Sequence, residues 1–262
     1  MSRIIAVTNQ KGGVGKTTTA INLAAALAAS DIKVLVVDSD PQGNTTSGFG
    51  ISKTPGMVTT YNVLVDGAEI HQAIQHTEME GLDLVPADKN LIGVNFEMFA
   101  VEERESVLRQ HLNPIRGEYR YILIDCPPAL DLLTLNALMA ADAVLVPIQC
   151  EFFALEGVSE LMDTIDRVRE SFGHPLAVEG ILLTMFDDRT NLARQVAADL
   201  REFFGADVLK TVIPRNIRLA EAPSHGKPII LYDPGSRGSE AYIQLAKEIL
   251  THEQTRSAQS AR

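Results

Sequence analysis

A chain of 262 residues with 45% hydrophobic side chains suits one large α/β domain or two small ones, and disorder is excluded as its default state. Lys and Arg number 23 against 34 Asp and Glu, a net charge of −11, so any hold on DNA or an anionic membrane requires a local basic patch. Cys126 and Cys150 stand apart without CxxC spacing, which argues against a disulfide framework, a zinc site or a one-chain cluster and for two reduced, buried thiols.

Short β-branched runs alternate with longer Ala/Leu-rich stretches, the pattern of a sheet covered by helices on both faces. In chain order the strands are expected at Ile4 to Thr8, Val34 to Asp38, Leu82 to Pro86, Tyr121 to Asp125, Ala143 to Ile148, Gly180 to Met185 and Thr211 to Ile213. Thr17 to Ser30 lacks Gly and Pro and is long enough for a crossover helix, so the first two runs make a right-handed βαβ unit. The fold class expected is α/β, a doubly wound, mostly parallel sheet. One domain is read over residues 1–250, and 251–262, where polar residues replace the apolar pattern, as a frayed, solvated tail. No apolar run reaches the roughly 18 residues of a membrane span, and the first residues enter a strand pattern without a signal core. The protein is expected in the cytoplasm.

Between the first strand and the first helix lies KGGVGKTT, Lys11 to Thr18. Backbone N–H groups at a helix N-terminus hold anions, and Gly12, Gly13 and Gly15 let the chain wrap closely around phosphates. Lys16 supplies a point charge to the terminal phosphates, and Thr17 a hydroxyl to Mg²⁺. A turn that only caps a helix has no use for the G-K-T that follows. The segment, with Val14 and Thr18, therefore reads as the site of ATP and Mg²⁺.

The standard motif begins with a glycine six residues before its lysine, where this chain has Gln10. KGGVGKTT instead resembles the deviant Walker A motif of the ParA/MinD family of P-loop ATPases. That resemblance implies that Lys11 reaches across an ATP-dependent homodimer to the partner's phosphates. Past the second strand comes Asp38-Ser39-Asp40-Pro41-Gln42-Gly43-Asn44, in the crevice where ligands of parallel sheets bind. Asp40 is placed to orient the attacking water and resembles the family's catalytic aspartate, while Asp38 is open between a supporting and a structural role. Asp125-Cys126-Pro127-Pro128 is similar to the family's second switch, which implies Asp125 beside Mg²⁺.

The resemblance covers nearly the whole chain, with Thr184 to Asn191 and Val212 to Pro228 similar to the chromosomal partition branch. It implies that Pro214 and Asn216 contact adenine. From Lys210 to Lys227 four basic residues stand against one acid, Glu221. Arg215 and Arg218, joined in space by Arg189, are implied to hold nonspecific double-stranded DNA through its phosphates, with nucleoid association in the ATP state. A ParB-type centromere-binding protein is the implied partner, and segregation of chromosome or plasmid copies the implied function.

Three other readings compete. A MinD-like membrane ATPase would need an amphipathic C-terminal helix, and residues 251–262 contain no Leu, Ile, Phe or Trp. An iron–sulfur ATPase would need a cluster shared through Cys126 and Cys150. A nucleotide-regulated scaffold would act through its bound state alone.

Overall fold

Runs such as Val34–Asp38 leave no polar face to turn toward water, so each strand has to be covered on both sides. The computed structural model describes residues 2–260, with side chains as far as Thr255. Among these residues eight strands form one sheet: β1 (Arg3–Val7), β2 (Val34–Asp38), β3 (Gln75–His76), β4 (Leu82–Val85), β5 (Tyr121–Asp125), β6 (Ala143–Gln149), β7 (Ala177–Phe186) and β8 (Val208–Pro214). Their order is β3-β4-β2-β5-β1-β6-β7-β8, and every pairing is parallel except β3 with β4. From β1 the chain crosses to β2 and the β3-β4 edge, returns with β5 between β2 and β1, and then winds outward through β6, β7 and β8, the doubly wound arrangement expected. All seven expected strands are present. The two-residue β3, too short to carry a period-2 signal, was not expected.

Alternate side chains of each strand enter opposite cores. Ile4, Ala6, Leu35, Val37, Ile122 and Ile124 face one layer, with Leu133 and Leu161 from the helices Leu132–Ala140 and Ala154–Phe172. Ile5, Val7, Val34, Val36 and Leu123 face the other. There the helix Lys16–Ala28 lies between the sheet and the C-terminal helix Arg237–Ser260, and is buried almost all round from Thr19 onward. Its run of alanines lets sheet and second helix approach from both sides. Among the described residues no helix is long and apolar enough to cross a membrane.

The expected frayed tail from Thr251 is corrected over the described residues. The last helix runs on to Ser260, and Glu253 accepts a hydrogen bond from Tyr121 Oη at 2.7 Å while pairing with Arg120 at 2.8 Å. Polar side chains dock this turn, so the fading apolar pattern did not mark its end. Residues 261–262 of that tail lie outside the described residues.

Two loops far apart in sequence meet backbone to backbone. Gly226 has φ +63°, and a Cβ placed on it would stand 2.6 Å from the Cα of Gly50. Gly226→Ala would therefore strain its own backbone and push apart the loops that follow Asn44–Gly48 and Ala222–His225. The substitution is expected to lower unfolding stability by more than about 1 kcal/mol in urea melts. An unchanged midpoint would show that the two loops are free to separate.

Candidate functional site

Strand register decides where the chemistry gathers. Val7 of β1 pairs with Asp125 of β5, and Asp125 pairs with Asp38 of β2, so three strands end at one level. The loops after them open into a single cavity of about 720 Å³, lined by Gly12, Gly13, Gly15, Lys16, Thr17, Thr18 and Asp40. This is the switch-point crevice of an open α/β sheet, where β1 parts the two directions of winding.

Gly15 caps the helix Lys16–Ala28 in the left-handed region, at φ +92°, which a side chain would oppose. The helix thus starts with its free N–H groups and positive dipole end at the cavity. Val14 is buried beneath the loop, and its carbonyl accepts from Thr184 Oγ1 at 2.7 Å, which ties the loop to β7. Lys16 is almost fully buried, with Nζ donating to the Lys11 carbonyl at 3.1 Å. Burial pulls the Lys16 ammonium below its ordinary range, opposed by Asp125, Cys126 and Asp40. A buried cation beside a nest of backbone donors suits a ligand with several negative charges.

Behind the loop sits a buried acid cluster. Asp125 Oδ2 accepts from Thr17 Oγ1 at 2.8 Å and from Thr45 Oγ1 at 2.7 Å, while its Oδ1 is buried without a partner. Asp38 accepts from Thr46 Oγ1 and N, at 2.6 and 2.8 Å, and from Asp40 N at 3.2 Å. Burial pushes both carboxyls above the ordinary carboxylate range, and each is raised further by a neighbouring carboxylate. Two hydroxyls and an orphaned carboxylate oxygen are hard donors, the set that fits Mg²⁺. Asp40 is itself buried, and its Oδ1 accepts from Gln42 N at 2.9 Å.

The far wall of the cavity comes from β8 and the loop after it, with Pro214, Arg215 and Asn216. Asn216 Oδ1 caps the short helix Ile217–Glu221 by accepting from Arg218 N at 2.8 Å. The loops after β7 and β8 are neighbours, since Arg215 N donates to Phe186 O at 3.0 Å, which brings Arg189 and Arg215 to one side. Arg189 and Arg218 are both engaged by acids. Arg189 forms a two-pronged pair with Asp187, at 2.8 and 2.7 Å, and Arg218 pairs with Glu221 at 2.9 Å and with Asp233 at 3.5 Å. Lys11 lies outside the cavity, half-exposed and paired with Glu151 of its own chain.

Sequence reasoning missed Thr45, Thr46, Met185 and Tyr242. The first two sit in the helix after Asp40, and an [ST]-[ST] pair there was a legible cue to hydroxyls facing carboxylates. Met185 and Tyr242 line the cavity from 160 and more residues away in sequence, with Met185 at φ +48°, and nothing local announces them. Cys126 and Cys150 are buried, burial pushes both thiols up, that of Cys150 to about 11, and thiolate ligation is opposed accordingly.

The acid cluster has a consequence for stability. A carboxyl whose pKa is raised by folding contributes stability below the ordinary carboxylate range and loses it as pH climbs through the raised value. Asp125→Asn removes that loss while keeping an oxygen for Thr17 and Thr45. Without nucleotide and metal, the variant is expected to melt above the parent chain at about pH 7.5, with the gain shrinking toward about pH 4.5. A melting difference that stays constant over that range would remove the charge argument.

Comparison with known proteins agrees with this geometry. The family described as an AAA domain matches residues 2–178. The chromosome partitioning protein ParA of Caulobacter vibrioides is 53% identical over 261 residues, 99% of this chain and 98% of the relative. The sporulation initiation inhibitor protein Soj of Bacillus subtilis is 53% identical over 249 residues, 95% of this chain and 98% of its own. Among solved structures, cobyrinic acid a,c-diamide synthase of Mycobacterium smegmatis with bound ADP and magnesium is 36% identical with a TM-score of 0.84, covering 97% and 96% of the two chains. The cell division ATPase MinD of Pyrococcus furiosus is 27% identical with a TM-score of 0.80, covering 96% and 99%. With its deviant P-loop, its buried aspartates and these whole-length likenesses, the chain belongs to the ParA/MinD family of P-loop ATPases, with ParA and Soj partition proteins among its relatives.

Proposed function

We propose that this partition ATPase binds ATP with Mg²⁺ in the cavity, dimerises around the nucleotide, holds double-stranded DNA nonspecifically in that state, and is reset by hydrolysis. One observation carries the reading. The phosphate loop and Asp40 face a single cavity whose far wall holds Arg215 in the loop after β8, and that loop is hydrogen-bonded to the end of β7, next to the loop that carries Arg189. Whole-length identity to partition proteins supports it.

Each residue has a role that its position suits. The N–H groups of Gly12 to Thr18 and the Lys16 ammonium hold the phosphates, and Thr17 with Asp125 holds the metal, directly or through water. Bound Mg²⁺ supplies charge neutralisation at the terminal phosphates. Asp40, fixed through Gln42 N and the Asp38 carboxylate, orients a water for in-line attack on the terminal phosphate, giving ADP and phosphate. Pro214 and Asn216 border the base. Lys11 leaves Glu151 to reach the partner's phosphates, an exposed pair being cheap to open.

DNA is held by Arg189, Arg215 and Arg218. In the single chain two of these are paired with acids, so the patch is weak until dimerisation doubles it. A ParB-type centromere-binding protein stimulates hydrolysis and so returns the chain to the DNA-free state. The protein is cytoplasmic and nucleoid-associated when ATP-bound. An amide-forming activity, the kind named for the M. smegmatis neighbour, is the second reading. It would show as ATP turnover that depends on a carboxylate acceptor and a nitrogen donor rather than on DNA.

Asp40→Ala is expected to bind ATP normally and to hydrolyse it roughly 100-fold more slowly, because binding uses the phosphate loop and water orientation uses the carboxylate. Phosphate release at the parental rate, with DNA and the ParB-type protein present, would sink the assignment. Arg218→Glu inverts one charge in each subunit. The ATP-bound dimer should lose at least about tenfold in affinity for nonspecific duplex, with a shallower salt dependence. ATP affinity measured on the same preparation should hold, because Arg218 does not line the cavity. Parental DNA binding at both low and high salt would take Arg218 out of the DNA surface.

A further inference from the structure

A second concavity, of about 550 Å³, opens between the segment 94–106 and the helices Leu132–Ala140 and Ala154–Phe172. Leu135, Leu138 and Val168 form its floor, and Phe99, Leu130 and Phe172 its walls. Those three wall residues are 75%, 48% and 42% exposed, and Phe96 beside them is 85% exposed. Scattered apolar side chains on a surface need no explanation, but a contiguous patch around a groove does. Thr164, Val168 and Phe172 line it at successive helical turns, so the wall is straight over about two turns of helix.

The rim is acidic on balance, with Glu105 and Asp131 lining it beside Arg104. Segment 94–106 carries Glu97, Glu102, Glu103 and Glu105 against Arg104 alone. Arg104 itself is engaged with Phe99, its guanidinium 5.4 Å from the ring and Nη1 donating to the Phe99 carbonyl at 3.2 Å. DNA and anionic lipid are repelled by such a rim, and a second copy of this chain would bring the same acids face to face. A cationic partner is attracted, and the apolar floor selects one with apolar anchors. The groove also borders the nucleotide site, since Leu130 stands two residues after Pro128, which lines that cavity.

We infer that this groove docks a short cationic amphipathic helix of a partner protein, its apolar side chains between Phe99, Leu130 and Phe172 and its Lys or Arg residues on the glutamate rim. Grooves of this kind are read by anchors at i, i+4 and i+7. The inference stands independently of the partition reading, because neither the nucleotide nor DNA enters it.

The test is fluorescence anisotropy on the full chain with a labelled synthetic helix that carries Leu, Phe and Leu at i, i+4 and i+7 among lysines. A control peptide of equal charge has glutamine at those three positions. The anchored peptide should bind, and more weakly as salt rises. Phe99→Ser with Phe172→Ser should weaken it at least about tenfold, as expected for loss of central anchors. Glu102→Lys with Glu105→Lys should weaken it too, and reduce the salt dependence. All four side chains are at least partly exposed, so thermal melting and ATP turnover should stay parental and show the variants to be folded. Three results would each overturn the inference: no binding to the parent chain, equal binding by the control peptide, or undiminished binding by the Phe99→Ser/Phe172→Ser variant.

Discussion

The alignment of three parallel strand ends is the constraint on which the rest depends. Because Val7, Asp125 and Asp38 are register partners, the phosphate loop and both buried carboxylates emerge side by side. A register slip of one residue would turn every strand side chain to the opposite face and scatter this cluster. The two apolar cores, one on each face of the sheet, lock the register, so the chemistry is held by packing far from the site.

What the register assembles is electrostatically strained until a ligand is present. Two carboxyls are buried near one another, Asp125 Oδ1 is buried without a partner among the described residues, and Lys16 is buried beside them. Buried polar groups without partners are costly, and a polyanion with a hard cation is the kind of ligand that offsets that cost. Stored unfavourable electrostatics of this kind give binding a large differential effect on the loops that carry the groups. Thr45 and Thr46 grip Asp125 and Asp38, so the segment after Asp40 is tied directly to the buried acid cluster. A change at the terminal phosphate has a short path to that segment, which is how nucleotide-held switches act.

Charge is distributed to the same end. The chain is acidic overall, yet Arg215 lines the nucleotide cavity, and Arg189 and Arg218 on the loops nearby are each paired with an acid close in sequence. Exposed pairs are worth little, so each of these arginines is held only loosely by its acid. Elsewhere acids gather beside the apolar groove at Phe99 and Phe172, where Glu105 and Asp131 line it. One short loop, Pro128 to Leu130, borders both concavities.

The sequence by itself determined the local chemistry. Glycines at fixed offsets before Lys16 and Thr17 announce a phosphate loop because backbone approach and helix dipole are local properties. The strands were legible from β-branched runs, and the order of Asp40 and Asp125 after them followed from where parallel strands end. Tertiary structure alone decided what meets across the chain. The pairing of Asp38 with Asp125, the reach of Met185 and Tyr242 into the cavity and the contact of Gly226 with Gly50 join residues far apart in sequence. The C-terminal helix beyond Thr251 and the ion pairs that occupy Arg189, Arg218 and Lys11 depend likewise on side chains packed from elsewhere or turned toward one of several nearby acids. Periodicity reports which face of an element is apolar, and it is silent on which distant polar group that element will find.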